Sequence, residues 1–460
     1  MTKPLIIGIS GLRGIIGAEL TPRAALDYGC AFGTYLKSIA TDKARRLHIC
    51  IGCDSRTSSP MLKSSIVSGL TAAGIDVTEL GIVSTPGVGI MVKHLNCDGG
   101  VIITASHNPI RYNGIKLLTD KGTAPPVQTA GKIKQYFINK KFHLADSSHC
   151  GRISFENRTD DVHIARVLKL VDTEKIAAKS FKVAIDSVNG AGGRVTKKLL
   201  HRLGCNTIAI NDEPTGLFAH EPEPAARNLT ELCGVVKDEG ADIGFAQDPD
   251  ADRLAIVSAK GVAAGEEYTL AFAVRSVLSK RPGAVATNLS TSRMIDDIAE
   301  KAGCSVIRTP VGEANVVSAM LENNCVIGGE GNGGVIDLRV VPIRDSLVAI
   351  ALTLQLMAES GKSIEKLTEE SGNYHMRKEK FPADKQQAAK ILEAAGKTFC
   401  NAKVNTSDGC RFDFEKAWLH LRTSNTEPVM RMIIEAEDKQ TAQKYAEAVS
   451  KIRQNIQAGQ

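Results

Sequence analysis

Residues 48–86 read HICIGCDSRTSSPMLKSSIVSGLTAAGIDVTELGIVSTP. An apolar run typical of a strand leads into a loop of small polar residues, an amphipathic stretch, a glycine and a second apolar run. The glycine, Gly74, suits the end of a helix because glycine adopts the left-handed backbone conformation without steric cost. The segment therefore predicts a unit of strand, loop, helix and strand.

The same order recurs twice further along the chain. Residues 181–212 run from FKVAIDSVNGAGG to LGCNTIAIND, and residues 284–312 read AVATNLSTSRMIDDIAEKAGCSVIRTPVG. Gly204 and Gly303 follow the two helical stretches, as Gly74 follows the first. Three such units predict three related α/β domains, each with a mixed sheet covered by helices.

The remainder of the chain follows another pattern. From about residue 372 a charged segment is followed by a helix, short strands and a final helix, which predicts a smaller α+β domain. The expected fold is thus α/β, with three related domains and a C-terminal α+β domain around a central cleft. The expected domains are 1–154, 155–257, 258–371 and 372–460.

Composition and charge exclude several classes of protein. The 460 residues are 43% hydrophobic and carry a net charge of +6 without a basic run, so nucleic acid is not an expected partner. The N-terminus lacks a signal-peptide pattern, and no apolar run approaches the roughly 18 residues that span a bilayer. We therefore expect a cytoplasmic chain with no membrane partner and reduced cysteines. Cys50 and Cys53 form a C-x-x-C, but with no second pair nearby neither a zinc site nor a redox role is favoured.

Residues 101–118, VIITASHNPIRYNGIKLL, place a hydroxyl on a loop directly after an apolar strand. The hydroxyl belongs to Ser106; His107 stands beside it, and Lys116 follows ten residues later. Taken alone, the loop is more simply explained as a serine turn closed by Asn-Pro. Ser106 is nevertheless the candidate nucleophile of the chain.

Three aspartates alternate in DIGFAQDPDADRLAIV, residues 242–257. They are Asp248, Asp250 and Asp252. On an extended loop they point to one side, and such crowded carboxylates repel one another unless a hard cation such as Mg²⁺ lies between them. An EF-hand is excluded, because Arg253 and Ala259 stand where its invariant glycine and glutamate belong. A solvated acidic turn is the alternative, which the flanking apolar strands disfavour.

Two further loops carry polar groups suited to a ligand. GGEGNGGV, residues 328–335, is a glycine-rich loop with one carboxylate that can approach a polyhydroxyl ligand, although alone it is equally well a flexible turn. LRTSNTEPVMRMIIEA, residues 421–436, clusters a guanidinium, hydroxyls and backbone N–H groups between two strands, as a phosphate dianion requires.

Together these motifs resemble the α-D-phosphohexomutase superfamily, which includes phosphoglucomutase, phosphomannomutase and phosphoglucosamine mutase. The resemblance covers the whole length in the family's order, from SGLRG at residues 10–14 through GCDSRTSS and STP to TASHNP, DPDADR and RTSNTEP. The last three motifs are highly specific. The resemblance implies an isomerase that moves a phosphoryl group within a hexose phosphate.

Particular roles follow from the resemblance. It implies that Ser106 carries the phosphoryl group, with catalytic roles beside it for Arg13, His107 and Lys116. It implies one Mg²⁺ per active site, held by a phosphoserine oxygen of Ser106 and by Asp248, Asp250 and Asp252. The implied substrate-binding residues are Arg253, Glu313, Glu330, Asn332, Arg422, Ser424, Asn425, Thr426 and Arg431.

The implied mechanism has two phosphoryl transfers. Phosphorylated Ser106 gives its phosphoryl group to a small-molecule hexose phosphate, and the resulting hexose 1,6-bisphosphate turns over in the cleft before it returns the other phosphate to Ser106. The C-terminal phosphate clamp holds whichever phosphate is not reacting. The resemblance leaves open whether the chain is a monomer or a homodimer.

The sugar loop departs from many relatives. Asn332 and Gly334 stand where a Ser and a His are common, and Glu313 stands where some relatives have a His. The GEGNGG form resembles the branch of phosphoglucosamine mutases, and an acidic Glu313 favours a substrate ammonium. Glucosamine phosphate is therefore the expected substrate, with glucose or mannose phosphate as the alternative.

Three other functions are less well supported by the motifs. A haloacid-dehalogenase-type phosphatase needs its D-x-D near the first strand, followed by Thr or Val, whereas Arg253 and Leu254 follow it here. An alkaline-phosphatase-like hydrolase needs more metal-binding histidines than these motifs contain. A non-catalytic sugar-phosphate-binding homologue is disfavoured because Ser106, Arg13, Lys116 and the three aspartates are all present.

Overall fold

Three mixed sheets and one antiparallel sheet follow one another along the chain in the computed structural model, which describes residues 5–8, 11–42, 44–424 and 428–458. The first sheet has seven strands in the order β1-β2-β6-β5-β3-β4-β7, of which β5, β3, β4 and β7 are parallel. Its strands are β1 (Ile6–Gly8), β2 (Gly11–Ile15), β3 (His48–Cys53), β4 (Asp76–Ile82), β5 (Gly99–Ile103), β6 (Tyr112–Thr119) and β7 (Ile153–Phe155). Its helices are α1 (Pro22–Ile39), α2 (Ser59–Ala72), α3 (Thr85–His94) and α4 (Val127–Asn139).

The second sheet has four strands in the order β11-β10-β8-β9, with β11 antiparallel to its neighbour. Its strands are β8 (Lys182–Asp186), β9 (Asn206–Ile210), β10 (Ile243–Gln247) and β11 (Leu254–Ser258). The accompanying helices are α5 (Thr159–Val167), α6 (Thr173–Ala177), α7 (Gly192–Arg202) and α8 (Thr230–Asp238), with short 3₁₀ turns at Leu168–Leu170 and Ala226–Asn228.

The third sheet repeats this topology in the order β13-β12-β14-β15. Its strands are β12 (Val285–Asn288), β13 (Val306–Thr309), β14 (Ile327–Glu330) and β15 (Gly334–Ile336). Its helices are α9 (Glu266–Leu278), α10 (Met294–Lys301), α11 (Glu313–Glu322), α12 (Ser346–Ser360) and α13 (Ile364–Ser371).

The fourth sheet is wholly antiparallel, in the order β16-β20-β19-β18-β17. Its strands are β16 (His375–Pro382), β17 (Lys403–Asn405), β18 (Cys410–Asp413), β19 (Ala417–Thr423) and β20 (Val429–Ala436). They pack against α14 (Lys385–Thr398) and α15 (Lys439–Gln457). Asp384 begins α14 with a capping box, in which its side chain accepts the Gln387 N–H and the Gln387 side chain accepts the Asp384 N–H.

The three predicted units are confirmed as β3-α2-β4, β8-α7-β9 and β12-α10-β13, and in each the two strands are parallel neighbours. In every case the first strand also pairs with a second parallel strand, which then turns back into an antiparallel one: β5 into β6, β10 into β11, and β14 into β15. Three α/β domains with mixed sheets and a C-terminal α+β domain are thus the observed fold. The predicted domain boundaries stay a prediction.

One apolar cluster is shared by the first three domains, each of which also has a separate cluster of its own. It joins, for example, Val88 of α3, Leu199 of α7 and Leu270 of α9, all fully buried. The C-terminal domain has a separate core. The first three domains therefore hold their loops in a fixed relation, because burying this apolar surface stabilises them as one body.

The two cysteines of the C-x-x-C motif make separate contacts. Cys50 and Cys53 lie on β3, and their thiols contact different backbone carbonyls, those of Val88 and Gly81.

Across the described residues, no single helix is long and apolar enough to cross a membrane; α12 and α13 pass that test only together, with a bend of 93° between them.

Candidate active site

The three central motifs occupy the same place in the three repeated sheets. TASHNP lies in the turn from β5 to β6, DPDADR in the turn from β10 to β11, and the glycine-rich loop in the turn from β14 to β15. Each turn joins the last parallel strand to the antiparallel strand. The three equivalent turns lie close to one another: Ser106 contacts Asp248 directly, and Arg344 bridges Asp252 and Glu330.

Ser106 lies directly against the aspartate loop. Its hydroxyl donates a hydrogen bond to Asp248 Oδ2 at 2.8 Å, and its Oγ is 3.3 Å from Nδ1 of His107. Ser106 is buried and has a φ of 50°, which a non-glycine residue adopts only at a steric cost. The predicted nucleophile and the predicted metal loop are therefore brought together in one strained, enclosed place.

The aspartate loop forms a compact cluster of oxygen ligands. Asp248, Asp250 and Asp252 are fully buried, and one oxygen from each can lie within 4.8 Å of the others. Oδ1 of Asp250 and Oδ1 of Asp252 are buried without a hydrogen-bond partner. Buried carboxylate oxygens left unpaired are costly, and a hard divalent cation is the group that satisfies them. The cluster fits a cation such as Mg²⁺.

The pKa values of Asp248 and Asp250 are shifted in opposite directions by their surroundings. Burial, followed by repulsion from Asp252 and Asp250, raises the pKa of Asp248 well above its usual range. Burial alone would also raise the pKa of Asp250, but the charge and hydrogen bond of Lys116, together with the Thr85 hydroxyl, hold that pKa below its usual range. A bound cation would oppose both the burial and the repulsion that raise the pKa of Asp248.

Basic residues from the first domain surround this cluster. Lys116 Nζ lies 2.9 Å from Asp250 Oδ2, and the Thr85 hydroxyl donates to the same oxygen at 2.7 Å. Arg13 lines the cleft beside His107. Burial, and then the charges of Arg253 and Arg13, lowers the pKa of His107 to about 2, so its imidazole is neutral.

Arg344 connects the aspartate loop to the glycine-rich loop. Its guanidinium donates to Asp252 Oδ2 at 2.6 Å and to Glu330 Oε2 at 2.7 Å, and it lies 2.9 Å from Glu313 Oε2. Glu330 also accepts from Asn288 at 2.8 Å. Burial would raise the pKa of Glu330, but Arg344 and Asn288 hold it below its usual range.

Glu313 stays a predicted substrate-binding residue. Its carboxylate faces Arg344, and Glu313 is not one of the residues that line the cleft, whereas Glu330 and Asn332 do line it. At Gly333 of the same loop φ is 86° and a Cβ would collide with the Leu254 carbonyl, so this turn requires glycine there. The third-domain carboxylates that line the cleft include Glu266, Glu267 and Glu330.

The C-terminal domain closes the fourth side of the cleft. Arg422 and Arg431 both line it, and Arg422 Nε donates to Asp408 Oδ2 at 3.0 Å. Ser424 follows β19, and its N–H donates to the Val429 carbonyl at 2.9 Å. The predicted clamp residues Asn425 and Thr426 lie outside the described residues.

The cleft has a volume of about 570 Å³ and receives side chains from all four domains. Within the part of the chain that the structure describes, its lining includes five arginine or lysine residues, Arg13, Arg253, Lys378, Arg422 and Arg431, and five glutamates, Glu19, Glu223, Glu266, Glu267 and Glu330. Ser106 lies just beneath this lining, next to His107 and Asn108, which belong to it. The arrangement provides a buried hydroxyl, a cation site and basic side chains that can bind an anionic group.

Sequence reasoning missed two residues of this site. Thr85 lies within the STP motif without chemistry of its own that marks it, and Arg344 lies in VPIRDS, which matches none of the motifs. Thr85 begins α3 with a preceding Ser84 cap, and this start of a helix after an apolar strand was the available signal. Arg344 follows no motif, and its role depends on partners from two distant loops.

Family comparisons agree with this geometry along the whole chain. The chain matches all four domains of the phosphoglucomutase/phosphomannomutase family. The matches are alpha/beta/alpha domain I over residues 4–144, domain II over 161–261, domain III over 265–374 and the C-terminal domain over 374–452. The chain belongs to this family. It is a phosphohexomutase, an isomerase, with an aspartate triad suited to a divalent cation.

Individual relatives of the mutase carry two different names. A protein of Thermococcus kodakarensis named phosphoglucomutase/phosphomannomutase is 37% identical, over 99% of each chain. A probable phosphoglucosamine mutase of Methanopyrus kandleri is 34% identical, over 95% of the mutase and 94% of that protein. The crystal structure of a phosphoglucomutase/phosphomannomutase family protein from Burkholderia thailandensis has a TM-score of 0.86 and 25% identity, covering 97% of both chains.

Proposed function

We propose that the mutase interconverts hexose 6-phosphate and hexose 1-phosphate through a phosphoserine at Ser106. The observation that carries this proposal is the 2.8 Å hydrogen bond between the Ser106 hydroxyl and Asp248, at the base of a cleft lined by basic residues. A hydroxyl so placed can hold a phosphoryl group between a cation site and the substrate. This is the arrangement that phosphoryl transfer needs, because its catalysis rests on positioning and on charge stabilisation.

In the first transfer, the phosphoryl group leaves Ser106 Oγ for the free hydroxyl of a sugar monophosphate. Arg13 and Lys116 provide positive charge on the side of the first domain, where negative charge accumulates on the equatorial phosphoryl oxygens. The neutral imidazole of His107, with Nδ1 3.3 Å from Oγ, orients the serine and adds no charge of its own next to the phosphoryl group. The same groups serve the return transfer, in which Ser106 Oγ accepts the other phosphoryl group.

The proposed cofactor is one Mg²⁺, held by Asp248, Asp250, Asp252 and an oxygen of phosphorylated Ser106. A cation there supplies charge neutralisation and polarises the transferring phosphoryl group. The unpaired Oδ1 atoms of Asp250 and Asp252 support this assignment.

The product of the first transfer is a hexose 1,6-bisphosphate, which must turn over inside the cleft. Arg422 and Arg431 line the side of the cleft formed by the C-terminal domain and suit the phosphate that is not reacting. Ser424, Asn425 and Thr426 belong to the same proposed clamp. One clamp serves both orientations, because a phosphate dianion presents the same oxygens from either end of the sugar.

We further propose glucosamine phosphate as the preferred substrate, with Glu330 as the group that recognises the amine. Glu330 lines the cleft, and its lowered pKa keeps it ionised at neutral pH. A desolvated contact between a carboxylate and an ammonium is worth on the order of 1–3 kcal/mol, or about a tenfold to hundredfold preference. The probable phosphoglucosamine mutases among the relatives support this choice.

Glucose or mannose phosphate is the second candidate substrate. It is favoured by the relative from Thermococcus kodakarensis, whose name is phosphoglucomutase/phosphomannomutase and whose identity is 37%. A probable phosphoglucosamine mutase from the same organism is 34% identical to this chain. The sugar is thus the part of the proposal that needs direct measurement.

The test is a side-by-side assay of glucosamine, glucose and mannose 6-phosphates with the purified enzyme. We expect conversion of each 6-phosphate to its 1-phosphate without release of inorganic phosphate, and the highest kcat/KM for glucosamine phosphate. A higher kcat/KM for glucose or mannose phosphate would show that this sugar, and not glucosamine, is the preferred one. Stoichiometric release of inorganic phosphate would show that the enzyme hydrolyses the phosphate ester and does not transfer the phosphoryl group.

A further inference from the structure

One buried guanidinium binds four carbonyl oxygens of the loop that carries the nucleophile. The Arg56 side chain is fully buried. Its Nη2 donates to the carbonyls of Ser106 and Asn108, each at 2.6 Å, and its Nη1 donates to those of Pro109 and Tyr112, each at 3.0 Å. The loop is therefore wrapped around a single side chain from the turn after β3.

A second chain of hydrogen bonds leads from the Arg56 side chain to the backbone N–H of Ser106. Arg56 Nε donates to Asp54 Oδ2 at 3.1 Å, and the Thr104 hydroxyl donates to the same oxygen at 2.6 Å. The Thr104 hydroxyl in turn accepts the N–H of Ser106 at 2.9 Å. Arg56 thus acts on the carbonyl of Ser106 directly and on its N–H through Asp54 and Thr104.

The second domain fixes the turn that contains Arg56. The Phe218 ring lies over the guanidinium, 4.9 Å from its central carbon, which leaves the edge free for hydrogen bonds. The Ser55 hydroxyl donates to the Asn189 carbonyl at 2.7 Å. A Cβ at Gly216 would collide with the Ser55 carbonyl, so the two domains meet here at backbone distance.

These contacts explain how Ser106 keeps an unfavourable backbone conformation. Its φ of 50° is costly for a residue with a side chain, and such a conformation persists only where its surroundings fix it. In this conformation the hydroxyl reaches Asp248 in the second domain. The bound carbonyls of Ser106 and of the residues after it, together with the bound N–H of Ser106, supply the constraint.

We infer that Arg56 is a positioning residue for phosphoryl transfer, which holds the Ser106 loop so that Oγ meets the aspartate cluster in both transfers. This inference rests on the proposed role of Ser106 as the phosphoryl carrier. Among the described residues, Arg56 is not part of the cleft lining and hydrogen-bonds to none of the three aspartates; it reaches the lining only at the backbone carbonyls of Asn108 and Tyr112. Its effect should therefore fall on the transfer step and not on sugar binding.

Arg56→Lys separates charge from geometry. A lysine keeps a positive charge beside Asp54, but its compact ammonium has three donors and cannot bind four carbonyls in one plane. The loop should then lose contacts on the side of Asn108, Pro109 and Tyr112. Small displacements of a reacting group cost large factors in rate, so a roughly tenfold to hundredfold loss of kcat is expected.

The experiment compares full-length wild type, Arg56→Lys and the control Arg275→Lys. Arg275 also donates to a backbone carbonyl, that of Leu367, and pairs with Glu370 away from the cleft. For Arg56→Lys we expect the loss of kcat, KM within about twofold of wild type, and an equal slowing of Ser106 phosphorylation by glucose 1,6-bisphosphate in single-turnover experiments. Arg275→Lys should retain both rates.

Unchanged phosphorylation and kcat in folded Arg56→Lys would overturn the inference, as would a rise in KM alone or an equal loss in the control. If Arg56→Lys does not fold, Thr104→Val, which cuts the path to the Ser106 N–H, must show the same split between kcat and KM, and its absence overturns the inference. If wild type itself takes up no phosphoryl group on Ser106, the proposed function fails, and that result is distinct from any difference among the variants.

Discussion

At the scale of single residues, the site is organised around carboxylate oxygens that have no protein partner. Asp248 shares a hydrogen bond with Ser106, whereas Asp250 and Asp252 each direct one oxygen to a basic residue and leave the other unpaired. Lys116 and Arg344 hold the two carboxylates in place. The loop is therefore prepared for a cation on one side and anchored by protein charges on the other.

Replacing Asp250 with Asn should remove most turnover. The variant loses a cation ligand and the ionic partner of Lys116, and we expect a decrease in kcat of roughly a hundredfold or more. The measurement is Mg²⁺-dependent activity after EDTA treatment, in which wild type regains its rate on addition of Mg²⁺. Asp438→Asn, at the cap of α15, is the control, because Asn caps a helix as well as Asp. Full activity of metal-free wild type would contradict the cation assignment.

Glu330 and Glu313 offer a matched test of sugar recognition, because both contact Arg344 but only Glu330 lines the cleft. Glu330→Gln should lower kcat/KM for glucosamine phosphate by about tenfold to a hundredfold more than for glucose phosphate. Glu313→Gln should change both sugars by a similar, smaller factor. The check is steady-state kinetics on both substrates. Equal losses in Glu330→Gln would show that this carboxylate serves only to hold Arg344.

At the scale of elements, the three repeated sheets explain where function lies. Each places its working loop in the turn from the last parallel strand to the antiparallel strand. The repeat itself could be predicted from the alternation of apolar runs, polar loops and closing glycines. The function of a turn could be predicted where its functional residues lie close together in the sequence, as with the three aspartates within five residues.

Contacts between distant segments could not be predicted in the same way. Arg344 acquires its role from Asp252 and Glu330, and Arg56 from carbonyls some fifty residues away, so neither stands out in a local pattern. Glu313 stands where some relatives have a His, and its role beside the substrate stays a prediction. Its contact with Arg344 could not be predicted, because a buried guanidinium collects acceptors from distant segments.

The junction of α9 and β16 predicts a pH-dependent stability. Burial raises the pKa of Glu267 to about 7, although Lys378, with Nζ 3.1 Å away, opposes the shift. Between the ordinary pKa of a glutamate and about 7, the native state binds a proton that the unfolded state has released. Stability therefore falls as the pH rises through that interval.

Glu267→Gln should remove this pH dependence. Relative to the variant, wild type should lose roughly 3 kcal/mol between pH 5 and pH 8, since each pKa unit corresponds to about 1.4 kcal/mol. The measurement is the difference in Tm between the two proteins at both pH values. Glu266→Gln, which removes the exposed partner of the same lysine, should keep the wild-type trend. A constant difference for Glu267→Gln would contradict the raised pKa.

At the scale of the whole molecule, three domains share one core and the fourth is joined to them through polar contacts. Ser290 Oγ lies 2.9 Å from His420 Nδ1, and the Val311 N–H donates to Asp408 at 3.0 Å. Asp408 also binds Arg422, so this junction leads directly to the proposed phosphate clamp. A phosphate at the proposed clamp would therefore lie next to the contacts that join the C-terminal domain to the third domain.

The central claim concerns one atom, Ser106 Oγ, as the carrier of the phosphoryl group. The direct measurement is to incubate the mutase with glucose 1,6-bisphosphate and Mg²⁺, remove the excess, and map the phosphoryl group by mass spectrometry of peptides. A hexose 6-phosphate is then added and the fate of that group is followed. We predict one phosphoryl group on Ser106, transferred to the sugar without release of inorganic phosphate. A phosphoryl group mapped to another residue, or full turnover by Ser106→Ala, would contradict the account.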